Sequence, residues 1–156
     1  MVMTLHFGVI DLPYEKPPKK AKRKSKLKSS TSLTTGDVAE ILEAKYHPFE
    51  LFFQIKEKQI AASLENSMAG ALESLMMGAP AKLDPFGAAC SEIEALFGKF
   101  INNREIERLG YPGIPTKAAL AGVNHRLAHP YAKGNKRRPS FVDTSQYIDA
   151  RKVWVD

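Results

Sequence analysis

Apolar positions recur along this chain with two periods, one helical and one extended. From Pro48 to Met77, Ile60, Leu64, Met68, Ala71 and Leu75 follow one another at steps of four, four, three and four, flanked by Leu51, Phe52, Ile55, Ala61 and Leu72. That spacing predicts one long amphipathic helix with a broad core face. Glu50, Glu57, Lys58, Glu65 and Glu73 mark its wet side. Pro48 suits a first helical position, and Gly78 followed by Pro80 suits an end. Ala61, Ala62, Ala69, Gly70 and Ala71 predict close approach of another helix. A further helix is expected over 88–101, with Ile93, Leu96, Phe97 and Phe100 on one face, then a short turn through Ile106 and Leu109. The extended period occurs at the two ends. Residues 3–12, MTLHFGVIDL, predict a strand, and RKVWV over 151–155 predicts another, with Val153 and Val155 facing one side and Trp154 the other.

Punctuation between these runs fills in the rest. Thr34, with Asp37 three positions on, predicts the start of a first helix over 36–46. The text LTTGDVAEIL resembles the opening of a helix-turn-helix, but a long apolar segment follows where a short recognition helix belongs. GYPGIP marks a rigid turn, Thr116 caps an expected helix KAALAGVNHRL that Pro130 stops, and Asp143 or Thr144 caps a turn of helix, SQYIDA. The expected fold class is α+β: long helices packed on a small antiparallel sheet that includes the C-terminal strand, with an extended basic N-terminal arm. Residues 1–35 form a strand plus the arm and linker; residues 36–156 form the body. The N-terminal strand pairs either as an intrachain edge strand or with a neighbouring subunit.

Charge changes this picture. Lys16, Lys19, Lys20, Lys22, Arg23, Lys24, Lys26 and Lys28 stand together with no acid among them. Asp11 and Glu15 are the acids ahead of them, and the basic and acidic side chains after residue 28 balance, so the net charge of +6 sits on residues 1–28. Like charges this dense repel and resist burial, which predicts a solvated arm. Such an arm serves solubility, contact with nucleic acid, docking on an acidic surface or nuclear addressing. A second basic stretch holds Lys133, Lys136, Arg137 and Arg138, with Arg126 just before it. It reads as a solvated loop or as a contact with phosphate or a partner.

Composition bounds the rest. With 156 residues and 44% hydrophobic content, the chain supports one core. A single cysteine, Cys90, excludes an internal disulfide framework, suggests a reducing compartment, and reads as a small core residue. No apolar run is long enough to span a membrane, and no secretory leader is expected at the N-terminus. There is no glycine-rich phosphate loop, no dinucleotide fingerprint and no paired cysteines. His125 and His129 have the spacing of a zinc-protease helix, but Arg126 stands where that motif needs glutamate. Ser140 and Thr144 lack a base partner in sequence. Glu92, Glu94, Glu105 and Glu107 read as solvated helix faces. The expectation is no catalytic site, no cofactor and no metal.

The C-terminal stretch resembles the end of phage head–tail joining (neck) and tail-completion proteins. Val142, Asp143, Thr144, Tyr147, Ala150, Val153, Trp154 and Val155 carry the resemblance, and Ser145 stands where that family usually has glycine. The match covers about the last fifth of the chain closely and the rest only in layout. It implies a small α+β subunit of a ring at the neck of a tailed phage, around the DNA channel. On that reading Val153, Trp154 and Val155 are expected at a subunit interface, the basic residues meet DNA or neighbouring portal, connector or tail proteins, and the protein resides in the virion, assembled in the host cytoplasm. A nonspecific nucleic-acid binder using the basic arm is the alternative.

Overall fold

A computed structural model of the protein describes residues 3–13 and 33–156. The elements are β1 (Leu5–Val9), α1 (Thr35–Tyr46), α2 (Pro48–Met76), α3 (Gly87–Asn102), α4 (Glu105–Arg108), α5 (Lys117–Leu120), α6 (Gln146–Asp149) and β2 (Arg151–Val155). Several helices thus pack against a small antiparallel two-stranded sheet that ends in the C-terminal strand. β1 pairs with β2 inside the chain, in a register that sets Phe7 opposite Val153. The N-terminal strand therefore belongs to the same body as the C-terminal one.

α2 and α3 form an antiparallel pair. Phe52 meets Phe97 and Phe100, while further along α2 the Ser67 hydroxyl donates to Pro85 O just ahead of α3. Phe7 enters from the sheet and touches Phe49, Phe52, Phe53 and Phe97 with ring centroids 4.9–5.9 Å apart. This aromatic cluster, with Ile93, Ile101 and Ile106, is the centre of the core. Fully burying one such side chain is worth roughly 1.5–3 kcal/mol. Cys90 is buried at its margin, and that burial, with the charges of Asp84 and Glu94, pushes its thiol above the usual range.

α1 starts as its sequence predicts. Thr34 accepts from Asp37 N, and Asp37 accepts from Thr34 N, a reciprocal capping box. His47 alone joins α1 to α2, with a left-handed φ of 50°. Glu43 covers the start of α2: its carboxylate accepts from Phe49 N at 2.9 Å and Glu50 N at 3.2 Å. The helix that follows is 29 residues long, so no recognition-type helix follows α1.

Four expectations are corrected. The stripe from Ile60 to Leu75 is not all core: Ile60 is buried and Leu64 and Met68 half-buried, but Leu72 and Leu75 are exposed. Around Gly70 a side chain would meet open space, so the small residues there receive no helix. The helix begun at Thr116 stops at Leu120, well before Pro130, because Gly122 turns left-handed (φ 68°) against the carbonyls of Asn135 and Lys136. A Cβ there would lie 2.6 Å from Asn135 O. Finally, neither Asp143 nor Thr144 caps the last helix. Ser145 occupies that position with φ 66° and no side-chain cap, and Asp143 serves His125 instead.

Candidate functional site

The first basic stretch, Lys16 to Lys28, lies outside the described residues. Its flanks do not. Pro13 and Thr34 form an antiparallel bridge, Thr35 N donates to Leu12 O at 2.8 Å, and the buried Thr35 hydroxyl donates to Ile10 O at 2.6 Å while accepting from Leu12 N. Gly36 N donates to the Asp11 carboxylate. Pro13 and Thr34, the described residues on either side of that stretch, therefore lie next to each other.

The second basic stretch divides between fold and solvent. The Arg138 guanidinium donates to Val123 O and Pro139 O. Arg126 donates to Thr144 O through two of its nitrogens. Arg137 pairs with Glu107, and its carbonyl accepts from Arg104. Lys133 and Lys136 are exposed and have no ion pair with any described residue.

Glu107 is the anchor of this loop, not a solvated acid. Its side chain is 4% exposed. One oxygen accepts from both Ser140 N (2.9 Å) and the Ser140 hydroxyl (2.8 Å), whose oxygen in turn accepts from Thr116 N. Burial alone would raise the carboxyl pKa; the Ser140 hydrogen bonds and then Arg137 outweigh it, and the group sits below the usual carboxylate range. Glu105 pairs with Lys56, and Glu94 accepts from Val153 N at 2.9 Å. The sequence carried no signal for these partners, since each joins positions far apart in the chain.

β2 places the three residues expected at an interface differently. Val153 is buried in the chain's own core. Val155 is half-buried, and Trp154 is 44% exposed and stacks on His6 at 5.2 Å. Of the three, Trp154 is the most exposed.

The histidines do not share a helix. His125 Nδ1 lies 2.6 Å from Asp143 and its Nε2 lies 2.9 Å from the exposed Tyr131 hydroxyl, while His129 is exposed in the loop. The Asp143 carboxylate also accepts from His125 N. The pair ties the 123–131 turns to the segment before α6. Glu43, His47 and Glu50 bring one potential ligand atom each within 4.8 Å, but both Glu43 oxygens already accept backbone amides at the α2 start. Tyr147 is buried, its hydroxyl meets no partner among the described residues, and burial, with Glu43 nearby, pushes its pKa up.

The last surface is the outer end of α2. Met76 and Met77 are almost fully exposed, as is Leu83 in the loop that returns to α3. Among the described residues no helix is long and apolar enough to cross a membrane. No family model matches the chain, and no curated protein or solved structure gives a match.

Proposed function

We propose that the protein is a structural subunit of a tailed-phage neck: a head–tail connector, tail-completion or terminator ring that acts in virion assembly around the DNA channel. The observation that carries this reading is the terminal segment. At Ser145, where the resembling family usually has glycine, the backbone is left-handed, the conformation that favours glycine. A short helix and the terminal strand follow it, an order that supports the reading. The reading needs no cofactor and no catalytic group. Subunits associate as a homo-oligomeric ring with Trp154 and the outer end of α2 turned to neighbours. The basic residues from Lys16 to Lys28 meet DNA or an acidic surface of a portal, connector or tail protein, with Lys133 and Lys136 as a second contact.

The test is native mass and electron microscopy of the full-length protein, alone and with linear duplex DNA. Closed rings with a central channel support the reading. A protein that forms no ring in either state and does not bind tail-less heads or head-less tails overturns it.

The segregation of charge favours a second reading, a nonspecific nucleic-acid binder. Each phosphate contact contributes about 0.9 to the slope of log affinity against log salt. Replacing the eight basic residues of 16–28 with glutamine then abolishes binding to random duplex. Unchanged affinity and slope would remove the arm from DNA contact.

A further inference from the structure

The two edges of the sheet are not equivalent. Thr4 and Asp156 exchange both backbone hydrogen bonds, at 2.9 and 3.1 Å, and Ile10 N donates to Ala150 O at 2.7 Å. Antiparallel alternation then turns the amides and carbonyls of His6 and Gly8 toward β2, and those of Leu5, Phe7 and Val9 away from it. On the opposite strand, Arg151, Val153 and Val155 aim outward. On that side α3 packs along the strand: Glu94 accepts from Val153 N, and the Arg151 side chain donates to Glu94 O. On the β1 edge no described group meets the outward amides and carbonyls of Leu5, Phe7 and Val9.

Exposed strand edges are normally guarded by charge or proline. Residues 3–10 contain no Lys, Arg, Asp, Glu or Pro. Beside the open edge, Leu5 and the α2 residues Phe53, Ile60, Ala61 and Leu64 line, together with Gln54 and Glu57, an open and mainly apolar cavity of about 430 Å³. Met3 and Ile10, at either end of the strand, are each about half exposed. A row of unpaired backbone groups at two-residue spacing fits an extended strand, and the apolar cavity fits its side chains.

We propose that β1 pairs antiparallel with β1 of a second copy of this chain, joining two two-stranded sheets into one of four strands. A two-fold axis at Phe7 sets Leu5 opposite Val9 of the second copy and Phe7 opposite its equivalent. Every outward donor then meets an outward acceptor, as a self-complementary interface requires. The same axis puts Val9 of the second copy beside Leu5, next to the cavity. Charges are compatible: His6 falls opposite a glycine, Asp11 falls opposite Met3, and His6 keeps its own partner Asp156 at 2.8 Å. A second copy is favoured because β1 is itself an unguarded strand of the required kind. The proposal does not depend on the neck reading.

The experiment is the native mass of the full chain over a concentration series, with amide hydrogen exchange at Leu5, Phe7 and Val9. Two variants accompany it. Val9→Pro removes an outward donor and no β1–β2 bond. Ala61→Arg fills the cavity from an exposed helical position, so it leaves the fold intact if Val9→Pro does not. The expected result is a species of twice the 17.3 kDa chain mass, with the three amides protected as it forms, and a single-chain mass for each folded variant at the same concentration. A wild-type chain that stays single at every concentration overturns the proposal, including one whose edge amides become protected only when another polypeptide is added. So does a dimer unchanged in both variants, or a larger assembly in which the edge amides exchange as fast as in the variants.

Discussion

The two halves of α2 share one hydrophobic pattern and have opposite surroundings. From Pro48 to Ile60 the helix lies against the sheet and α3, and Phe52 is completely buried. From Ala61 onward burial fades, and by Met76 the side chain is 89% exposed. The helical period records which face a residue occupies. It does not record how far along the helix a partner extends. α3 ends its cover near Ser67, where Pro85 O accepts the serine hydroxyl. At 1.5 Å per residue, the helix beyond that point runs on for about 14 Å. An apolar end carried clear of the core is available to neighbours, whereas the first half holds the molecule together.

Mutations along and beside the helix sharpen this contrast. Phe52→Ala should cost about 3–5 kcal/mol, because it empties the centre of the aromatic cluster. At about 2–4 °C per kcal/mol the melting temperature should fall by roughly 6–20 °C. A loss as small as that of an outer-half variant would mean the cluster is not the core. Beside the buried half, Glu107→Ala should cost about 3 kcal/mol, because it leaves Ser140 and Arg137 without their acceptor. Chemical denaturation of the variant measures that loss.

Glu107 also sets a pH dependence. Its pKa is lower folded than unfolded, so its contribution is complete above the ordinary carboxylate range and is lost as pH falls through the folded value. Melting temperature should therefore drop on acidification below about pH 4.5, with a shallower drop in Glu107→Gln. Equal slopes in the two proteins would show that the buried carboxylate is not ionised.

Smaller effects are expected farther out. Leu64→Ala, half-buried, should cost about 1–2 kcal/mol. Leu75→Ser and Met76→Ser should stay within about 0.5 kcal/mol, as exposed substitutions do. If the outer end serves assembly, these last two weaken association while leaving the melting temperature alone, which native mass and calorimetry on the same samples would separate.

Much of this fold was legible in local pattern. The N-cap at Thr34, the proline at the start of α2, the face of α3 and the inward set of Val153 all follow from spacing and side-chain chemistry. What escaped were relations between distant positions. Nothing near Glu107 in sequence foretells Ser140, and Arg137 and Arg138 look like any basic loop until their partners are in place. Gly122 is one small residue in an Ala-rich run, yet the carbonyls of 135 and 136 close over it and end α5. Of the residues expected to meet DNA or a neighbour, Lys133, Lys136 and Trp154 remain turned outward, while Arg138 and Val153 are spent on the fold.

Amide hydrogen exchange along α2, at a concentration where the chain is single, tests the division of the helix most directly. Amides from Phe52 to Ile60 should exchange only with global unfolding, and those beyond Gly70 should exchange many-fold faster through local opening. Uniform protection out to Met76 would contradict the account, and would mean that the outer half is held as firmly as the first.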